Sequence, residues 1–369
     1  MKIKHLKIKT FRNILNIETN LNSNIVCITG LNGAGKTNFL DVVYYLSNTR
    51  SYFNHIDSQN INYNYNDFYI EAELVENQNI DKISCYYSIE EGKVFKINEK
   101  KYSKLAEHYG KFPCVIITPN DINLINEGSD LRRSFVDSII STYNLEYLSK
   151  LIEYKRILQQ RNAILKQLNE RQTKDYSILE IYNYKLSKIN IFINQKRIEF
   201  INQFKPFFLD VYEKIAKNKE NVDIYYSSQL NNNTNFKNLF ENSLQKDILA
   251  QHTTVGIHKD DFIFSINNHL VKRTASQGQQ KSFLIALKFA KAILINIQTT
   301  KKTMMLLDDI FDKLDTLRIK NIVNLFKELN LGQIFITHTD ANYLHSALDN
   351  TGFDYIYLTI DNGQIIENK

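Results

Sequence analysis

The stretch Gly30-Leu31-Asn32-Gly33-Ala34-Gly35-Lys36-Thr37 constrains this chain more than any other. It fits the P-loop pattern, in which glycines let the backbone approach an anion closely and Lys and Thr follow at the start of a helix. Its flanks agree. Ile25-Val26-Cys27-Ile28-Thr29 is a short apolar, mostly β-branched run that reads as a buried strand, and Phe39 to Leu46 places apolar residues at helical spacing. Strand, loop and helix arrive in the order phosphate binding needs, because loop amides and a helix N-terminus together present partial positive charge. Lys36 is then a point charge for the β- and γ-phosphates, and the Thr37 hydroxyl a ligand for Mg²⁺.

A length of 369 residues implies two domains or one domain with a large insertion. The net charge of +6 implicates nucleic acid only through its distribution. The 43% hydrophobic content argues for a folded protein, and no apolar run reads as long enough to span a bilayer. Met1 to Leu6 alternates like a strand and carries no signal-peptide block, so the chain reads as cytoplasmic. Cys27, Cys85 and Cys114 lie far apart in strand-like runs, which suits reduced core thiols.

From Met1 to Ile28 the pattern is strand, turn and strand, with Phe11-Arg12-Asn13 between them. Segments around Tyr69–Leu74, Ile83–Ile89 and Val94–Ile97 read as an antiparallel meander. Cys114 to Thr118 reads as a buried strand stopped by Pro119-Asn120-Asp121. From Asp130 to Phe204 the chain reads as helical. One stripe runs through Leu151, Tyr154, Leu158, Leu165 and Leu168, and a second through Ile178, Ile181, Leu186, Ile189 and Ile193, with a connection near Glu170–Lys174. Basic residues here, among them Lys155, Arg156, Arg161, Lys166 and Arg197, outnumber acidic ones; they fit either a phosphate backbone or a solvated helix face. Strand signals return at Val222–Tyr226 and Phe262–Ile266, with an Asn-rich loop at Asn231–Asn235. A helix over Gln280–Gln298, the apolar runs Met304–Leu307 and Ile334–Thr337, and a hairpin at Asp361-Asn362-Gly363 complete the chain.

A P-loop needs a carboxylate at the end of a neighbouring buried strand, and Met304-Met305-Leu306-Leu307-Asp308-Asp309 supplies one. Asp308 is the expected metal residue, and Asp309 is placed to polarise an attacking water. Ser276-Gln277-Gly278-Gln279-Gln280 precedes a long helix and reads as a second anion site for another subunit's nucleotide, or as an ordinary N-cap. His338 closes a strand where it reaches a γ-phosphate or is a plain surface residue.

In this order the motifs resemble the ABC-type ATPase head of the SMC-like group, and the RecF family in detail. The resemblance is carried by Phe11-Arg12-Asn13, Gly30 to Asn38, Pro119-Asn120-Asp121-Ile122, Arg132-Arg133, Gln160-Arg161-Asn162-Ala163, Gly256-Ile257-His258-Lys259-Asp260-Asp261, Ser276 to Lys281, and Asp312-Lys313-Leu314-Asp315. It implies an α/β P-loop head with an inserted α-helical lever arm: head at 1–120, lever arm at 121–208, and head again at 209–369. It also implies ATP and Mg²⁺ held by Gly30, Leu31, Asn32, Gly33, Ala34, Gly35, Lys36, Thr37 and Asn38, with Thr37 and Asp308 on the metal and Lys36, Asp309 and His338 catalytic. ATP-dependent homodimerisation would close each site with the partner's Ser276, Gly278 and Gln279. The expected partners are DNA with a single-strand/duplex junction, contacted by Lys155, Arg156, Arg161 and Lys166, together with RecR-like and RecO-like mediators and, indirectly, the recombinase RecA. The implied role is gap repair and the SOS response, with weak DNA-stimulated ATP hydrolysis as the release step. Two departures stand out: Asp309 replaces the Glu of many ABC ATPases, and the loop after Thr118 lacks the usual metal-contacting glutamine. The competing readings are a transporter's nucleotide-binding subunit and a DNA clamp that does not hydrolyse ATP.

Overall fold

The computed structural model describes all residues except 77–78, 172–174, 218–219, 231–235, 312–313, 349–351 and 369. The expected loop at Asn231–Asn235 and the Asp312-Lys313 pair therefore lie outside the described residues, as does most of the expected connection at Glu170–Lys174. The chain divides into two compact units, one of Met1–Asp121, Val211–Lys217 and Gln277–Lys369, the other of Ile122–Asp210 and Asn218–Ser276.

The first unit holds two sheets. Strands β1 (Lys2–Phe11), β2 (Ile14–Asn20), β4 (Asp67–Glu76), β5 (Asn79–Ser88), β6 (Gly92–Ile97) and β7 (Lys100–Lys101) form an antiparallel sheet in the order β2-β1-β4-β5-β6-β7. The meander at β4 to β6 follows the sequence reading. The second sheet contains β3 (Ile25–Thr29), β8 (Cys114–Ile117), β12 (Met304–Asp308), β13 (Ile334–His338), β14 (Tyr355–Asp361) and β15 (Gln364–Asn368), ordered β15-β14-β3-β13-β12-β8. All its pairings are parallel except the terminal hairpin. Strands β3, β8 and β12 are buried along their whole length, as continuous apolar runs in a parallel sheet require.

Helix α1 (Lys36–Asn48) joins the sheets through one core: its Phe39 and Val43 cluster with Leu6, Ile8 and Phe68 of the antiparallel sheet and with Leu306 and Phe335 of the parallel one. Cys27, Cys85 and Cys114 are buried, none is in a disulfide, and burial pushes each thiol up to about 12. Helices α8 (Gln277–Thr299), α9 (Thr316–Glu328) and α10 (Ala341–Leu348) complete this unit. By length and composition α8 is apolar enough to cross a membrane, which corrects the sequence reading, yet 67% of its most apolar window is buried inside the protein.

The second unit is built on α2 (Asn123–Asn126), α3 (Ser129–Tyr143), α4 (Leu145–Arg171), the first part of α5 (Ser177–Ala216), α6 (Phe236–Ala250) and α7 (Val271–Thr274). It is larger than the 121–208 segment expected. Strands β9 (Val222–Ser227), β10 (Asp261–Ile266) and β11 (His269–Leu270) make a separate sheet, β11-β10-β9, and cluster with these helices instead of joining the head. The first apolar stripe is buried on α4 at Leu151, Tyr154, Leu165 and Leu168, with Leu158 half-buried and its neighbour Ile157 taking the inward place. The second is displaced: Ile178 and Ile181 are exposed, and the buried face of α5 runs through Leu179, Leu186, Ile189 and Ile193.

His258 is held in this unit between Tyr154 Oη, 2.7 Å from Nδ1, and the Thr253 carbonyl, 2.9 Å from Nε2. The carbonyl can only accept, so Nε2 carries the proton and Nδ1 accepts from Tyr154. Burial, helped by Lys259 and Arg133, lowers its pKa to about 4. Between its ordinary value and about 4 the unfolded chain binds a proton that the fold excludes, so this stability is complete above pH 6.5 and lost as pH falls. The stability difference between wild type and His258→Gln is expected to shrink by about 3 kcal/mol from pH 7 to pH 4 in urea unfolding. A difference independent of pH would contradict this.

Candidate functional site

Strand β3 delivers the chain to Gly30, whose φ of +147° lies in the left-handed region and whose site leaves no room for a side chain, since a Cβ would sit 2.2 Å from the Ile360 carbonyl oxygen. The loop is tied to the terminal hairpin by Gly363 N–H donating to Ala34 O at 2.8 Å. Lys36 is buried, and its ammonium donates to Gly30 O at 2.8 Å and Leu31 O at 3.1 Å. Leu31, Asn32 and Gly33 are exposed at the loop tip.

Across the sheet, Thr37 Oγ1 donates to the Asp308 carboxylate, 3.0 Å from either oxygen. The P-loop strand and the Asp308 strand are not neighbours as expected: β13 lies between them, with Thr337 opposite both Ile28 and Asp308. Thr337 fills that gap chemically. Its hydroxyl donates to Asp308 Oδ1 at 2.8 Å and accepts from Asp309 N–H at 3.0 Å. Sequence reasoning missed it, although its place just before His338 at a strand's C-terminal end was a signal. Burial raises the Asp308 pKa, Thr337 and Thr37 oppose that shift, and Asp309 adds to it. Asp309 itself has φ +45°, so the chain turns sharply as it leaves β12. His338 Nδ1 lies 2.9 Å from Asp340 N and 3.0 Å from Asp340 O, and its ring stacks on Tyr343.

Within Phe11-Arg12-Asn13, legible in the sequence only as a motif, Arg12 and Asn13 brace the loop by hydrogen bonds. Asn13 Nδ2 donates to Gly33 O at 3.0 Å, and Asn38 Nδ2 to Asn13 Oδ1 at 2.7 Å. Arg12 donates to Asn38 Oδ1 at 2.9 Å and pairs with buried Asp41 at 2.9 Å. Asn38 is therefore engaged by the protein at both ends of its amide, Nδ2 donating to Asn13 and Oδ1 accepting from Arg12.

Ser276 precedes α8, which starts at Gln277, so Gly278 and Gln279 fall in its first turn and not in a preceding loop. Arg318 of α9 approaches this turn, lying 3.2 Å from where a Gly278 Cβ would stand and donating to Ser282 Oγ at 2.9 Å.

Of the four candidate DNA contacts, Lys155, Arg156 and Lys166 are exposed on α4. Arg161 is not: it is fully buried, pairs with Asp247 at 2.7 Å and donates to Asn183 and Thr253. A guanidinium consumed by an internal carboxylate cannot also meet a phosphate, so Arg161 is removed from that set. Arg197 is likewise internal, between Asp137 and Asp260, each 3.0 Å away. Gly256 to Asp261, one of the segments that carry the family resemblance, knits this unit together. Asp261 takes Arg132 at 2.8 Å, Asp260 takes Arg197, Tyr226 and Ser228, and Ile257 N–H donates to Asn190. Gly256 has φ +122°, and a Cβ there would meet Tyr154 Oη at 2.9 Å.

A glycine-rich loop between a buried parallel strand and a helix, with a facing Asp-Asp strand end and an inserted helical unit, defines an ABC-type ATPase head of the SMC class. The family model described as RecF/RecN/SMC N terminal domain matches residues 2–357. The DNA replication and repair protein RecF of Azobacteroides pseudotrichonymphae is 39% identical over 367 residues, covering 100% of both chains. That of Flavobacterium johnsoniae is 39% identical over 355 residues, covering 96% of this chain and 99% of its own. This chain belongs to the RecF family. A solved structure of the recombination mediator protein RecF with ATP, in the RecFOR pathway, matches with a TM-score of 0.87 at 28% identity, over 100% of this chain and 97% of that one. The Smc head from Pyrococcus furiosus, bound to the C-terminal domain of ScpA, shares the fold at a TM-score of 0.56 and 16% identity, over 100% of this chain and 95% of that one.

Proposed function

We propose that this chain is an ATP-operated, DNA-binding switch of recombinational and replication-gap repair. The observation that carries the reading is the cluster at the strand ends, where Thr37, Asp308, Thr337 and the Asp309 amide are linked by hydrogen bonds of 2.8 to 3.0 Å. The residues suit the proposed ligands. A hydroxyl beside one buried carboxylate fits Mg²⁺, which takes one or two protein oxygens and completes its shell with phosphate and water. Backbone amides at a helix start and Lys36 fit a triphosphate. Bound Mg²⁺ would neutralise charge on the β- and γ-phosphates. Lys36 would exchange its two loop carbonyls for phosphate oxygens, Asp309 would orient and polarise the attacking water, and His338 would sense the γ-phosphate from the end of β13.

In this reading each nucleotide is closed by the partner copy's signature turn, so ATP joins two chains and slow hydrolysis parts them. Lys155, Arg156 and Lys166 meet the phosphate backbone at a single-strand/duplex junction. RecO-like and RecR-like mediators then assist loading of the recombinase, in the SOS setting. The RecF relatives and the ATP-bound RecF structure support the repair and nucleotide parts of this reading.

Asp309→Asn keeps size and hydrogen bonding but weakens water polarisation. It is expected to slow ATP turnover at least tenfold and to lengthen the life of the ATP-induced dimer by a similar factor, measured by phosphate release and by dilution in light scattering. An unchanged dimer lifetime would contradict the switch and favour a clamp that does not hydrolyse ATP.

A further inference from the structure

The loop after β8 lacks the glutamine expected there, and its Asp121 has other work. Asp121 Oδ2 accepts from Thr118 N–H at 2.7 Å, while Oδ1 accepts from the Tyr52 hydroxyl and pairs with Lys288 Nζ at 3.0 Å. Both charged side chains are buried, at 8% and 7% exposure, so this pair is shielded from solvent competition in a way surface pairs are not. Lys288 also donates to Ile116 O of β8 at 2.9 Å. It stands on α8, about three helical turns beyond Ser276. One ammonium thus fixes the signature helix to the end of a strand in the nucleotide sheet.

The same carboxylate lies on a continuous polar path to the phosphate loop. Tyr52 N–H donates to Asp41 Oδ1 at 2.7 Å, Asp41 pairs with Arg12, Arg12 donates to Asn38, Asn38 to Asn13, and Asn13 to Gly33 O. Every link is a side chain or amide held at both ends, and Asp41 and Lys288 are buried. Hydrogen-bond and ion-pair networks held in discrete arrangements are one physical carrier of coupling between sites.

We propose that Lys288 is a positioning residue: through Asp121 and Tyr52 it sets the register of α8, and so of the Ser276–Gln279 turn, against the phosphate loop of the same chain. Nucleotide at the loop then shifts the start of α8 through this path. The proposal rests on the reading of Gly30–Thr37 as the ATP site and explains how one chain's ATP prepares the surface it offers to the other.

The test is hydrogen–deuterium exchange of wild type, Lys288→Met and Lys288→Arg, with and without ATP, at a dilution where the chain is monomeric. In wild type, ATP is expected to protect both the 30–40 and the 277–287 segments. Lys288→Met is expected to keep protection at 30–40 and ATP affinity within threefold, and to lose at least fourfold of the response at 277–287; Lys288→Arg restores it. Because Lys288→Met leaves Asp121 without its counter-charge, Asp121→Asn combined with Lys288→Met gives an uncharged pair and is expected to behave as Lys288→Met. A response at 277–287 that survives in both uncoupled variants, or is missing in wild type, overturns the proposal. Absence of ATP protection at 30–40 in wild type would overturn the ATP-site reading as well. Sedimentation of the same samples at high concentration judges the dimer separately.

Discussion

Arg197→Met is expected to destabilise the helical unit by about 3–5 kcal/mol, the cost of breaking a buried ion pair by removing one partner. The guanidinium is almost wholly buried and donates to both Asp137 oxygens, to Asp260 Oδ2 at 3.0 Å and to the Ile257 carbonyl at 2.8 Å. Burial works against its charge, but attraction from Asp137, Tyr147, Tyr226 and Asp260 outweighs that and holds its pKa well above the usual arginine value. Methionine fills much of the volume and leaves two carboxylates without their shared cation, with hydroxyl partners remaining: Tyr147 on Asp137, and Tyr226 and Ser228 on Asp260. Urea unfolding followed by far-ultraviolet circular dichroism reads the effect. A change below about 1 kcal/mol, the scale of an exposed pair, would contradict the buried network.

Lys36→Ala is expected to weaken ATP binding at least a hundredfold, about 2.7 kcal/mol, and to abolish ATP-dependent dimerisation. The ammonium is the one buried cation in the loop, and the carbonyls of Gly30 and Leu31 that hold it aim it across the cradle. Removing it takes away the proposed charge-assisted contact to phosphate and two hydrogen bonds to loop carbonyls, while the apolar faces of β3 and α1 keep their packing, so the melting temperature is expected to stay near that of wild type. Isothermal titration with ATP checks it, and wild-type affinity in this variant would refute the phosphate-loop assignment.

What the sequence made legible follows from where its physics is local. Continuous apolar runs as short as Ile25–Thr29 and Met304–Leu307 read as buried strands by their length and flanks, and a glycine-rich turn after one of them leaves few alternatives. Charge on a helix is less readable. Arg161 and Arg197 belong to the basic excess that reads as either a phosphate-backbone contact or a solvated face, yet Arg161 stands four residues before Leu165 and Arg197 four after Ile193, on the buried faces of their helices. That spacing was visible, but their counter-charges Asp247, Asp137 and Asp260 come from distant segments that no local pattern connects. The same holds for β9 and β10, whose alternation marks them as strands without saying which sheet they join. Thr337 and Lys288 became meaningful only when three-dimensional neighbours placed Asp308 and Asp121 beside them.

Sedimentation of the purified protein with ADP, with ATP, and with ATP plus gapped DNA tests the central claim most directly. The ATP-switch account predicts monomer with ADP, dimer with ATP, and a tighter dimer when gapped DNA is present. A monomer in all three conditions would contradict it, leaving the phosphate loop in place but stripping the Ser276–Gln279 turn of its proposed role.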